Sequence, residues 1–139
     1  MSKESVDRVR SAYEALGAGD PAPLVALMAP DIEWIEPDGA PGVGDMTKNS
    51  GVYRGRDDVL TRMFGRLPEI WEGFGVHPET YLDAGDHVVV LGHLRATVPA
   101  TRAPAEAPFA HVWRFNGDQA TWWRCYEDTA LLHHARGSL

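Results

Sequence analysis

The sequence predicts an α+β fold: one curved antiparallel sheet with helices on one side. Three observations carry this. Helix-period segments are confined to the first half of the chain, four strand-period runs fill the second half, and Asn116-Gly117 joins two of those runs in the manner of a tight hairpin. With 139 residues the chain predicts one domain, 1–139, able to bury a core without a disulfide or metal staple.

Taken in order, residues 2–16 read as a helix, because Val6, Val9, Arg10, Tyr13 and Leu16 fall near one stripe. Gly17 and Gly19 stop it. Asp20 suits an N-cap and Pro21 the first position of a second, short helix, which Pro30 ends. Residues 31–36 alternate as a strand that puts Ile32, Trp34 and Glu36 on one face, and Pro37 closes it. Residues 38–52 are a Gly/Pro/Asn/Ser-rich loop, long enough for a binding lid or a plain connector. Residues 56–67 are helical, with Val59, Leu60, Met63, Phe64 and Leu67 on one stripe.

Strands follow over 76–83 and 87–98, turning at 84–86; the run Val88-Val89-Val90-Leu91 reads as covered on both faces. Residues 99–108, with three prolines, read as a loop. In the last hairpin, 109–130, a two-residue loop at Asn116-Gly117 puts His111, Trp113, Trp122, Arg124, Tyr126 and Asp128 on one face, with Thr121, Trp123 and Cys125 on the other. A one-residue slip in pairing would exchange the faces of one strand. The first face mixes large aromatics with ionisable groups, as a ligand pocket does. Trp123 on the opposite face reads as a dimer contact, and residues 131–135 as a short closing turn.

A net charge of −7 argues against nucleic acid or an anionic membrane as partner. No run is long and apolar enough to span a bilayer, and the N-terminus lacks a signal-peptide core, so a cytoplasmic protein is expected. The single cysteine, Cys125, leaves neither an internal disulfide nor a CxxC motif, and the adjacent His133 and His134 would point apart on a helix, so no metal site is expected.

The segments YEALGAGD (13–20), LMAPDIEWIEP (27–37), YRGRDDV (53–59) and FAHVWRFNG (109–117), the last followed by YEDTA (126–130), together resemble the nuclear transport factor two-like superfamily, and within it the ketosteroid-isomerase-like and SnoaL-like polyketide cyclase branch. The resemblance implies a cone, in which a bent sheet wraps about three helices around a pocket open at one end, and a homodimer formed through the outer sheet face. It also implies roles. Glu36-Pro37 matches the catalytic carboxylate of the isomerases, with Glu in place of Asp, and His111 matches their protonated oxyanion-binding Asp. Their helix-1 tyrosine falls at Ala12, one place from Tyr13. Cyclase-like members use a strand His and a C-terminal Asp, which His111 and Asp128 match.

The expected site thus has Glu36, His111 and Asp128 as acid/base groups. Trp34, Tyr53, Phe64, Trp113, Trp122, Arg124 and Tyr126 would hold a small hydrophobic molecule. The expected chemistry is cofactor-independent isomerisation, cyclisation or dehydration of an apolar carbonyl compound by proton transfer. A non-catalytic binding protein of the same fold, or an epoxide hydrolase using Arg124 and Asp128, stands as the alternative.

Overall fold

A computed structural model describes residues 2–41 and 51–138. Helix α1 (Ser2–Gly17) and the short α2 (Ala22–Leu27) lead into strand β1 (Met28–Ile35). Strand β2 (Val52–Arg54) precedes a single α-helical turn, α3 (Arg56–Asp58), which continues as a π-helix over Val59–Phe64, and then a 3-10 turn over Leu67–Glu69. Four strands follow: β3 (Glu72–Ala84), β4 (His87–Thr97), β5 (Pro104–Asn116) and β6 (Gln119–Glu127). Helix α4 (Thr129–Arg136) ends the order.

The strands form one six-stranded, curved, unclosed sheet in the order β2-β1-β6-β5-β4-β3. Every neighbouring pair is antiparallel except β1 and β6, which run parallel and join the two halves of the chain. The concave face carries the core. Val9, Ala12 and Tyr13 of α1 and Leu24 and Leu27 of α2 are buried, as are the inward residues of the strands, among them Ile32, Trp34, Val88, Val90, Trp113 and Trp123. Burial of these apolar side chains, roughly 1.5–3 kcal/mol each, is what holds helices to sheet.

Several local expectations shift. β1 begins at Met28, three residues before the predicted start, and passes through the exposed Pro30, where its register with β6 breaks between Met28 and Glu33. The stretch 99–108 is only partly a loop. β5 starts at Pro104, opposite Thr97, and Pro108 lies opposite His93. Both prolines precede Phe109↔Glu127, where pairing with β6 begins, so that side of β5 is an edge, the place where proline is tolerated. β4 is buried on one face only: Val88 and Val90 point in, while Val89 is half-buried and Leu91 exposed. A register shift between Pro78 and Thr80 interrupts the β3–β4 ladder at Glu79. The possible lid over 38–52 lies largely outside the described residues. The end that is described is pinned, since Glu36 N–H donates to Gly51 O at 2.8 Å. Gly51 has φ of +91°, and a Cβ there would fall 2.3 Å from the Glu36 carbonyl oxygen, so no other residue fits.

The largest correction concerns the last hairpin. Its two-residue loop is Gly117-Asp118, closed by Asn116↔Gln119, with Gly117 at φ of +68°. A bulge follows. Phe115 pairs with Ala120 but Arg114 pairs with Trp122, which leaves Thr121 as an extra residue. Moving the loop by one residue preserves which faces meet; the bulge reverses it. Beyond Thr121 the inward set on β6 is therefore Trp123, Cys125 and Glu127, while Trp122, Arg124 and Tyr126 point outward.

Candidate functional site

Inside the cone lies a cavity of about 90 Å³. Three cross-strand rows on the inner face build its wall. Trp113 sits opposite Trp123, which sits beside Trp34; His111 sits opposite Cys125; and Phe109 sits opposite Glu127. Glu36 follows β1 and returns to the same face as Trp34. α1 supplies Tyr13, the π-helix Met63 and Phe64, and α4 Leu132.

The polar groups fall into two clusters. In the first, Trp113 Nε1 donates to the Tyr13 hydroxyl oxygen at 3.0 Å, and that hydroxyl lies 2.7 Å from His111 Nδ1. Indole nitrogen can only donate. If Nδ1 carried the ring proton, the buried Tyr13 O–H would have nowhere to go. The network therefore assigns the Tyr13 proton to Nδ1 and leaves His111 with its proton on Nε2. Burial pulls His111 down to about 3, so the ring is neutral at physiological pH, and burial pushes Tyr13 far above its ordinary range. The ring of His111 is held between Phe109, stacked at 4.0 Å, and Trp123 at 4.8 Å.

In the second cluster, the side-chain donor atoms of Glu36, Cys125 and Glu127 all lie within 4.8 Å of one another. Trp34 Nε1 donates to Glu36 Oε2 at 2.9 Å, and the Cys125 thiol donates to Glu127 Oε1 at 3.1 Å. Burial, and then the neighbouring Glu127, push Glu36 up to about 8 against a small opposing effect of the Trp34 hydrogen bond. Burial also raises Glu127. Both side chains are half-buried and line the cavity. The Cys125 thiol is driven upward by burial and by both carboxylates, so it stays protonated, and a protonated thiol is a poor metal ligand. Among the described residues this is the one convergence of ligand-type side chains.

Of the residues expected from sequence, Glu36, His111, Trp34, Phe64 and Trp113 line the cavity. Tyr53 lies behind it, wholly buried opposite Trp34. Its hydroxyl has no hydrogen-bond partner, and burial and then Glu36 push it up to about 12. Trp122, Arg124 and Tyr126 are on the outer face. There Arg114 lies over the Trp122 ring and Arg124 over that of Tyr126. Asp128 does not reach the cavity: it caps α4, accepting from Leu131 N–H at 3.2 Å. The expected His111–Asp128 pairing and the Arg124–Asp128 pairing are both absent from the cavity for the same reason, the parity change at Thr121. Trp123 and Cys125, expected outside, are inside, and Glu127 holds the position expected of Asp128. Tyr13 was visible on the helical stripe of α1; Glu127 carried no signal, because nothing in the chain marks the bulge.

A curved sheet enclosing an aromatic cavity with inward acid groups defines a cone-fold protein of the nuclear transport factor two-like class. Residues 9–123 match the family model of the SnoaL-like domain, and the chain belongs to that family. A nuclear transport factor two-like protein of Burkholderia thailandensis is 33% identical, with a TM-score of 0.82 over 94% of this chain and 95% of that one. TerC, co-crystallised with polyporic acid, is 23% identical with a TM-score of 0.80, covering 96% of this chain and 98% of that one. IdmH of Streptomyces antibioticus, a candidate polyketide cyclase, is 21% identical with a TM-score of 0.73, covering 94% and 96%. The last two establish likeness of fold alone. No curated protein matches the chain.

Proposed function

We propose that the cavity binds a small apolar carbonyl compound and moves a proton on it by acid/base chemistry, as an isomerase, cyclase or dehydratase would. The observation that carries this reading is the pairing of Glu36 with Glu127 on the wall of an aromatic cavity that also holds a neutral, oriented imidazole. A carboxyl near pH 8 is matched to taking up and returning a proton at physiological pH, when its ionised fraction is a usable base. His111, fixed by Tyr13 through Nδ1, offers its Nε2–H to the oxygen on which charge develops. The tryptophans keep water out and strengthen both interactions. TerC, crystallised with polyporic acid, and IdmH, a candidate cyclase, share the fold and support a small-molecule site. The same reading takes the protein as a cytoplasmic homodimer, associated through the outer sheet face that bears Trp122, Tyr126 and Leu91.

The test is solvent deuterium exchange into a panel of enolisable ketones and enones, followed by NMR. Glu36→Gln should slow exchange by about 10²–10⁴-fold, the usual worth of a general base, and His111→Ala by about 10²–10³-fold, the worth of an oxyanion donor. Exchange at wild-type rates in both variants would remove the reading.

A further inference from the structure

Two carboxyl groups face this cavity, and among the described residues nothing cationic lines it beside them. Its described lining contains no lysine and no arginine. Among the described residues, the donors reaching Glu36 and Glu127 are a neutral indole N–H from Trp34 and a neutral thiol from Cys125. Elsewhere in the same chain carboxylates are paired with guanidinium groups, as in Glu33–Arg54, Asp58–Arg62 and Glu106–Arg95. Two buried acids without a counter-charge are held in their protonated, neutral form, and a cation placed beside them would restore the charged one.

The walls around them are of the kind that receives a cation. Trp34, Phe64, Trp71, Trp113 and Trp123 contribute rings to the lining. Aromatic faces attract ammonium groups by about 0.5–2 kcal/mol each as water is excluded. Arginine already uses ring faces in this chain, with Arg114 over Trp122 at 5.5 Å on the outer face and Arg136 over the lining residue Trp71 at 5.3 Å. A further group lacks a partner. The indole Nε1–H of Trp123, a side chain 3% exposed and part of the same wall, has no acceptor. The Tyr13 oxygen is near enough to feel this N–H but is not in hydrogen-bond geometry with it. An orphan donor calls for an acceptor atom on the ligand.

We infer that the natural ligand is an organic ammonium compound that also carries an oxygen acceptor, its nitrogen seated among the rings against Glu36 and Glu127 and its oxygen facing the donor cluster of Trp123 and His111. This rests on the small-molecule reading given above and narrows its substrate class to carbonyl compounds that also carry an ammonium group. Seating a fixed positive charge there favours ionised carboxylates, so the proton displaced from the pair goes to the buffer.

The probes are choline and its neutral carbon isostere, 3,3-dimethylbutan-1-ol, titrated calorimetrically into the full chain, with cyclohex-2-enone as a neutral carbonyl control. Choline should bind at least about tenfold tighter than the isostere, since two ring contacts and an ion pair exceed 1.4 kcal/mol. In buffers of different ionisation enthalpy, choline binding should release protons, and its affinity should rise from pH 6 to pH 8 while that of the isostere stays flat. Among the described residues, the titratable groups that act on Glu36 or share the cavity with it are Glu127 and Cys125 of β6, His111 of β5, Tyr13 of α1 and Tyr53 of β2. His111 titrates well below this window and the thiol and phenols above it, which leaves the carboxyl pair. Glu36→Gln with Glu127→Gln should abolish the preference for choline. If that double variant does not fold, the wild-type proton release alone decides. Equal affinity for the two isosteres, or choline binding without proton release, overturns the inference. Binding of the enone and the neutral alcohol but not choline overturns it while sparing the reading of a neutral-carbonyl site. Binding of none of the three overturns both.

Discussion

The hydroxyl of Tyr13 on the first helix and Nδ1 of His111 on the fifth strand are 2.7 Å apart, a bond that spans 98 positions of sequence and fixes an imidazole inside the cone. Tyr13→Phe removes the only oxygen in that cluster. Both Trp113 N–H and His111 Nδ1 lose their partner in a buried place, and the expected cost is about 1–3 kcal/mol, read from urea unfolding. The same variant should release the ring tautomer, which nitrogen NMR of labelled histidine would show as loss of the single Nε2–H form. A ring that keeps that form unchanged would contradict the assignment.

Stability should depend on pH from both sides. Glu36 sits at about 8 in the folded chain against an ordinary 4.5, so between those values the folded chain holds a proton the unfolded chain has released. Stability therefore falls as pH rises through that interval, by up to about 1.4 kcal/mol per unit. Glu127, also raised, adds to this side. His111 is lowered from 6.5 to about 3, so below 6.5 the unfolded chain binds a proton the folded one does not, and stability falls as pH drops toward 3. The two trends oppose each other between 4.5 and 6.5, where stability should be greatest. Urea midpoints from pH 3 to 9 would show this, and Glu36→Gln should flatten the alkaline limb. An alkaline fall as steep in the variant as in the wild type would rule out Glu36 as its source.

Asp128 separates capping from chemistry. Asp128→Ala should cost about 1 kcal/mol through the lost N-cap of α4, and Asp128→Asn, an equally good cap, close to nothing. Ligand binding in Asp128→Asn should match the wild type. A large loss of binding or turnover in that variant would return Asp128 to the site.

Deleting Thr121 removes the bulge. Ala120 would still pair with Phe115 and Trp122 with Arg114, so the ladder would run on without interruption and Trp123, Cys125 and Glu127 would keep facing inward. The deletion variant should therefore unfold cooperatively with its cavity intact, and Thr121→Val should be tolerated as well, because the residue lies outside the ladder. Loss of the cooperative transition in the deletion variant would refute this register.

Much of this was legible from residue pattern. The α+β class, most of the strands and the inward facing of Trp34, Glu36, His111 and Trp113 follow from periodicity, which local sequence encodes directly. What escaped is what pairing decides. Thr121 has no property that marks it as an extra residue, yet leaving it out of the ladder determines whether Glu127 or Tyr126 faces the cavity. Pro104 and Pro108 looked like loop because their tolerance depends on where a different strand begins. The π-helix at Val59–Phe64 passed for an ordinary helix because its apolar stripe is nearly the same. Each of these belongs to tertiary context, to which propensity and period are blind.

The β3 ladder break described above has a bearing on association. β3 is one free margin of the sheet, thirteen residues long, and a straight strand of that length would be a template for another chain. Pro78 and the irregularity at Glu79 interrupt its row of hydrogen-bonding groups, and β2 on the opposite margin is only three residues long. Neither rim offers a neighbour a continuous ladder, so growth into fibrils by strand addition is disfavoured.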